Sequence, residues 1–267
     1  MKRIPLIAGI LGRRTAWLRP LTGAAEELAC ADPLRLLQDC LEDGGPGSVQ
    51  PNEAPLLPLA DRDLLLAEIQ RDAFGDRCEA DAACIACGQP YTMAFSLGAM
   101  MASQRDPEDS LVEGPDPESR FRLGDVRFRL PSSRDLADAA AAEDPASAVL
   151  TACILSGDPA GRETDIEAAM AAAGPVLDLD LDAVCPNCGT SQSPRFRISD
   201  FLRQCFVQER RLRQREIHCI ATAYGWSYDS IMRLSRADRQ DFVGLICERP
   251  GRATPLDAFG GRARATG

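Results

Sequence analysis

Two copies of the pattern Cys-x-x-Cys-Gly constrain this chain more than any other feature: Cys84-Ile85-Ala86-Cys87-Gly88 and Cys185-Pro186-Asn187-Cys188-Gly189. Two residues between cysteines let both thiolates face one ion. The following glycine reaches positive φ, so that backbone N–H groups turn toward the sulfurs. Four thiolates complete the tetrahedral set of a structural zinc site and leave no open position for a substrate. The expectation is one structural Zn2+ per chain, held by Cys84, Cys87, Cys185 and Cys188. Two other readings compete with it. The cysteines could be reduced residues of two buried hairpins, or a redox pair, which needs a helix N-terminus to lower a thiol pKa. Each motif runs into a predicted strand instead. Residues 88–184 separate the knuckles, a long insertion for a single zinc ribbon.

The resemblance between the two units extends past the cysteines. Phe95 and Phe196 each follow the first cysteine of their knuckle by eleven residues, and Leu97 and Ile198 come two further on. Each chain then turns helical. The repeat reads strand, knuckle, strand, helix. The remaining cysteines (Cys30, Cys40, Cys78, Cys153, Cys205, Cys219 and Cys247) sit mostly among apolar residues and read as core packing. Dividing the 11 cysteines into four ligands and seven core residues removes the difficulty of an odd number, which cannot pair completely as disulfides.

Residues 1–23 read as extended, and Ala24–Cys40 as helix interrupted at Pro33. Asp61 is the expected N-cap of a helix that Gly75 ends. Arg77–Ala83 and Tyr91–Leu97 read as a hairpin about the first knuckle. Residues 105–119 form an acidic, Pro-containing linker. Val126, Phe128 and Leu130 alternate with arginines as a strand, Ser132 or Ser133 caps an Ala-rich helix, and Glu163–Ala173 is a further helix. Leu177–Asp182 alternates strictly, which predicts a half-buried strand with its aspartates outward. Ser199 or Asp200 should cap one long helix reaching Ala223. Ser227 and Ser235 start two more.

The expected fold class is α+β: zinc-ribbon-like β hairpins, an α/β insertion between them, and a helical C-terminal bundle. The segments are 1–55 (N-terminal arm and helix), 56–104 (helix and first knuckle) and 105–175 (linker and insertion). They continue with 176–198 (second knuckle), 199–248 (C-terminal helices) and 249–267 (disordered tail).

Charge narrows the function. The chain carries 30 basic and 40 acidic residues, net −10, which opposes nucleic acid or an anionic membrane as main partner. The early apolar run, Ile4–Leu11, is far shorter than the ~20 residues a bilayer requires and lacks a cleavage site after it. The expected location is cytoplasmic, with incorporation into a larger particle open.

One segment departs from the acidic balance. Residues 195–216 hold Arg195, Arg197, Arg203, Arg210, Arg211, Arg213 and Arg215 against Asp200, Glu209 and Glu216. It reads as a solvated helix face or a docking face for an acidic partner; base stacking would need interleaved aromatics, which are sparse. His218, the only histidine, lies mid-helix and reads as packed, not catalytic. Tyr224, Trp226 and Tyr228 read as a core corner or an interaction hot spot. No paired carboxylates or nucleophilic constellation can be picked out, so no enzyme is expected.

Several short motifs carry a family resemblance. They are Leu18-Arg19-Pro20-Leu21-Thr22-Gly23, Asp61-Arg62-Asp63-Leu64-Leu65-Leu66, Phe74-Gly75-Asp76-Arg77, and Arg129-Leu130-Pro131 with Asp135-Leu136. Ile217-His218, Ala223-Tyr224-Gly225-Trp226-Ser227 and Leu234-Ser235 complete the set with the second knuckle. Together they resemble the T-even-type phage baseplate proteins, a family with relatives in contractile injection systems. The resemblance implies an assembly factor or minor component of the baseplate hub, with baseplate or hub proteins of a contractile tail as partners. The cysteine pairs are not shared by all members, so zinc rests on this chain's own spacing. The rival functions are a zinc-ribbon nucleic-acid accessory protein and a thiol oxidoreductase.

Overall fold

A computed structural model describes residues 1–104 and 112–248 and the backbone of residues 265 and 266. The chain begins with β1 (Lys2–Ile10) and β2 (Arg13–Leu18), followed by α1 (Gly23–Ala31), α2 (Pro33–Cys40) and β3 (Leu41–Glu42). After a 3-10 turn at Pro51–Leu56 come α3 (Leu59–Phe74), β4 (Arg77–Ala83), β5 (Pro90–Ser96) and α4 (Leu97–Ser103). Next are β6 (Phe121–Leu123), β7 (Val126–Phe128), α5 (Ser133–Ala139), α6 (Pro145–Cys153), β8 (Ile154–Ser156) and α7 (Glu163–Ala173). The last stretch holds β9 (Asp178–Asp180), β10 (Ala183–Val184), β11 (Ser191–Gln192) and β12 (Arg195–Arg197). It continues with α8 (Ile198–Gln208), α9 (Arg210–Tyr224), α10 (Tyr228–Met232), α11 (Arg236–Cys247) and β13 (Ala265–Thr266). The class is mixed helix and small, mainly antiparallel sheets.

The chain folds as two compact units, both discontinuous in sequence. The first comprises residues 1–19, 37–68 and 96–179; the second comprises 20–36, 69–95 and 180–267.

In the first unit, β1, β2 and β3 form one antiparallel sheet and β6, β7 and β8 another. Its core gathers Phe121, Val126, Phe128, Leu150, Ile166 and Met170, with Phe121 and Phe128 stacked at 5.8 Å. Alternation along β7 buries Val126 and Phe128 and exposes Arg127, as the period of two requires. The β1–β2 register shifts between Pro5 and Ile10, where Gly9 adopts φ +71°. A Cβ at Gly9 would lie 2.1 Å from the Arg13 carbonyl oxygen, so no larger residue fits.

Asp61 does not cap α3. It is the third residue of a helix starting at Leu59, and its buried carboxylate accepts from the backbone N–H groups of Ile7, Ala8 and Gly9 at 2.5, 3.2 and 2.7 Å. The irregular stretch of β1 lacks ladder partners for these donors, and a long-range acceptor replaces them. Burial pushes the Asp61 carboxyl upward in pKa, opposed by the three N–H bonds. Asp63 similarly accepts from the Leu177 N–H at 2.9 Å and pairs with Arg62. Ser132 caps α5 in a capping box with Asp135, as its sequence position predicts.

The expected strand at Leu177–Asp182 is shorter, confined to β9; Leu177 is buried, while Leu179 and Leu181 are only half-buried. The expected linker at 105–119 lies partly outside the described residues. Its described end is structured: Glu113 bridges to Arg122. The expected tail at 249–267 likewise lies outside them, apart from Ala265–Thr266, which pair with β4.

In the second unit, α9, α10 and α11 share a core of Ile220, Ile231, Val243 and Ile246. Phe74 packs on Phe206 at 5.0 Å. The single long helix expected from Ser199 to Ala223 is two. α8 starts at Ile198, without a side-chain cap, and ends at Gln208 before α9 begins at Arg210. Gly225 closes α9 in the left-handed conformation, and Ser227 and Ser235 cap α10 and α11.

Part of the arginine-rich helix is not a solvated face. Arg213 is 2% exposed and pairs with Glu26 and Glu27 of α1 at 3.2 and 2.8 Å. Glu26, fully buried, also accepts from Arg239 at 2.6 Å and Arg236 at 3.4 Å, and Arg239 reaches Glu216 at 3.3 Å. His218 is exposed, not packed. Of the cysteines assigned to the core, Cys40, Cys78, Cys153 and Cys205 are buried, and Cys30, Cys219 and Cys247 are half-buried. Burial pushes the thiols of Cys40, Cys78 and Cys205 up to about 12, so they remain protonated.

Candidate metal centre

The knuckles form by identical local rules. In the first, Gly88 N donates to Cys84 O at 2.9 Å and Cys84 N to Gln89 O at 3.0 Å. In the second, Gly189 N donates to Cys185 O at 2.9 Å and Cys185 N to Thr190 O at 3.0 Å. Gly88 and Gly189 have φ of +68° and +74°. The glycine lets the chain reverse tightly enough for N–H groups to face sulfur. Cys84 accepts from the N–H groups of Cys87 and Ala86, and Cys87 from that of Gln89.

All four cysteines predicted as ligands come together. Their Sγ atoms lie within 4.8 Å of one another, with Cys84–Cys188 at 3.6 Å and Cys87–Cys185 at 3.8 Å. A tetrahedron with Zn–S bonds of about 2.3 Å has edges of roughly 3.8 Å. The sulfurs are therefore spaced to hold one such ion. Both of these pairs join one knuckle to the other, and the intervening sequence does not keep them apart. Cys84 and Cys185 are buried, Cys87 half-buried and Cys188 exposed.

The surroundings favour thiolate where the cluster meets solvent. The Thr190 hydroxyl and N–H hold the Cys188 thiol down to about 6; the hydroxyl is 3.2 Å from Cys188 Sγ. The Gln89 N–H and the Asn187 amide, 3.5 Å away, lower Cys87. At Cys84 the backbone N–H groups pull downward, but burial and the adjoining Cys188 and Cys185 sulfurs raise the thiol to about 11. Four sulfurs this close cannot all ionise without a cation among them; a divalent ion removes that repulsion.

Three supporting residues escaped the sequence reading. Gln192 accepts from the Ile85 N–H at 3.1 Å and donates to the Tyr91 hydroxyl, tying β11 to the first knuckle and β5. Thr190 and Asn187 hydrogen-bond sulfur directly. Only Asn187, inside the motif, carried any local signal. Tyr91 packs beside Cys84 and Cys185, with Met93 and Ala183 at the edge of the cluster. The repeat-related Phe95 and Phe196 meet edge to face at 5.1 Å, so the internal repeat is also a physical pairing.

No protein-family model, no curated protein and no solved structure matches this chain. Among the described residues, no helix is long and apolar enough to cross a membrane.

Proposed function

We propose that this protein carries one structural Zn2+ on Cys84, Cys87, Cys185 and Cys188. We further propose that it acts without enzymatic activity, through protein contacts, as an assembly factor or minor component of a contractile-tail baseplate hub. The observation that carries the reading is the closed sulfur set: four thiols within 4.8 Å. Four protein ligands leave zinc no position for substrate or activated water, so the ion serves as a cross-link between two hairpins. In these terms the knuckles form a zinc-ribbon-like core and α9–α11 a C-terminal bundle. The motif resemblance to baseplate proteins supplies the biological setting, and the net charge of −10 suits protein partners over polyanions.

Elemental analysis of purified protein should find about one zinc per chain. Metal-free, well-folded protein would refute the site. Co-purification of the tagged chain from its host should bring down baseplate or hub proteins. Turnover in a disulfide-reduction assay that vanishes in Cys84→Ser would replace this reading with an oxidoreductase.

A further inference from the structure

The charges of α9 face two ways. Arg213, Glu216 and Ile220 are buried in the second unit. Arg213 is engaged by Glu26 and Glu27, and Glu216, the only acid of the helix, by Arg239. At about 100° per residue, Arg211, Gln214, Arg215, His218 and Thr222 fall on the opposite side. Arg215 is half-buried and the other four are exposed, as is Arg210 beside them. Every ionisable group of this stripe is basic and every side chain offers a donor. Among the described residues, Arg210 and Arg211 make no ion pair.

Helix stability does not account for this arrangement. The first turn of α9 contains arginines and no acid, where the helix macrodipole disfavours cations. The stripe carries no large apolar side chain, so it is suited to recognition by charge. Arginine is among the residues that dominate interface hot spots.

We propose that the outer face of α9 is a docking surface for an acidic segment of a partner protein. Arg210 and Arg211 pair with its carboxylates, and Gln214, His218 and Thr222 extend the polar contact along the same face. This rests on the proposed protein-docking role and names its surface and the chemistry of its partner. Nucleic acid is the poorer occupant. The chain is net acidic, and a few arginines neutralise few phosphates.

The test uses the full-length, zinc-loaded chain and a fluorescent 15-residue helical peptide bearing glutamates at successive i, i+4 positions. Its glutamine counterpart and a single-stranded oligonucleotide of equal length serve as comparisons. The glutamate peptide should bind at least about tenfold more tightly than either. Arg210→Gln with Arg211→Gln should remove most of that difference while melting temperature holds or rises, as the macrodipole predicts. Equal binding of the two peptides would overturn the proposal, as would tighter binding of the oligonucleotide. Salt-sensitive dimerisation abolished by the double variant would assign the face to a second copy instead, and overturn it too. Host co-purification separates this inference from the reading beneath it. If the double variant captures hub proteins as well as wild type does, this surface fails and the assembly role stands. If wild type captures none, the assembly role fails.

Discussion

Glu26 has no solvent contact, yet three arginines converge on it: Arg213, Arg236 and Arg239. A buried charge is costly unless paired, so the group forms a unit that no single member can leave cheaply. Glu26→Ala leaves Glu216 as the one carboxylate facing the fully buried Arg239 and takes a partner from Arg213 and Arg236, and we expect a loss of about 3–5 kcal/mol in urea unfolding. Replacing an exposed pair such as Arg134–Asp138 should change stability by less than about 1 kcal/mol. Asp135 offers a pH test. The bidentate Arg129 guanidinium, at 2.7 Å on both oxygens, with the Ser132 hydroxyl and N–H, holds its carboxyl well below the ordinary 3.8. A depressed folded-state pKa stabilises the fold fully above the unfolded value. The contribution fades as pH falls below 3.8. Asp135→Asn should therefore lower melting temperature at pH 7 and flatten its dependence on pH below 4, relative to wild type.

At the scale of elements, the hairpin around the second knuckle is too short to stand alone: β10 and β11 have two residues each. A two-stranded ribbon of that size is marginal in water, and an ion on the four sulfurs would supply the missing cohesion. Cys84→Ser and Cys185→Ser should lower melting temperature by similar amounts, because each opens the same sulfur set. If only one variant loses stability, the knuckles do not share an ion. Gly9→Ala should also destabilise, by about 1–3 kcal/mol, since it meets both positive φ and the Arg13 carbonyl; chemical denaturation measures this directly.

At the scale of the whole molecule, all four candidate ligands belong to the second unit. Chelation at neutral pH should accelerate amide hydrogen exchange in β4, β5, β10 and β11 first. The core around Phe128 and Ile166 in the first unit should keep its protection longer. Uniform loss of protection in both would show that the metal governs global stability.

The two knuckles were legible because their geometry is local: spacing and glycine placement determine how a knuckle turns, whatever lies between the knuckles. The same holds for the caps at Ser132, Ser227 and Ser235 and for the stop at Gly75, where a side chain or positive φ acts within one turn. Asp61, Arg213 and Glu216 were misread because their partners lie far along the chain, at β1, α1 and α11. A carboxylate before a helix looks like a cap until a distant strand presents three N–H donors to it. An arginine looks solvated until a distant glutamate removes it from water. Sequence by itself determined two cysteine knuckles, the helix caps at Ser132, Ser227 and Ser235, and the acidic balance of the chain. Only the tertiary structure decided that the four sulfurs meet, which charges of α9 are buried, and which remain outside to be met by another molecule. Long-range pairing depends on where the chain returns, and no local pattern records that.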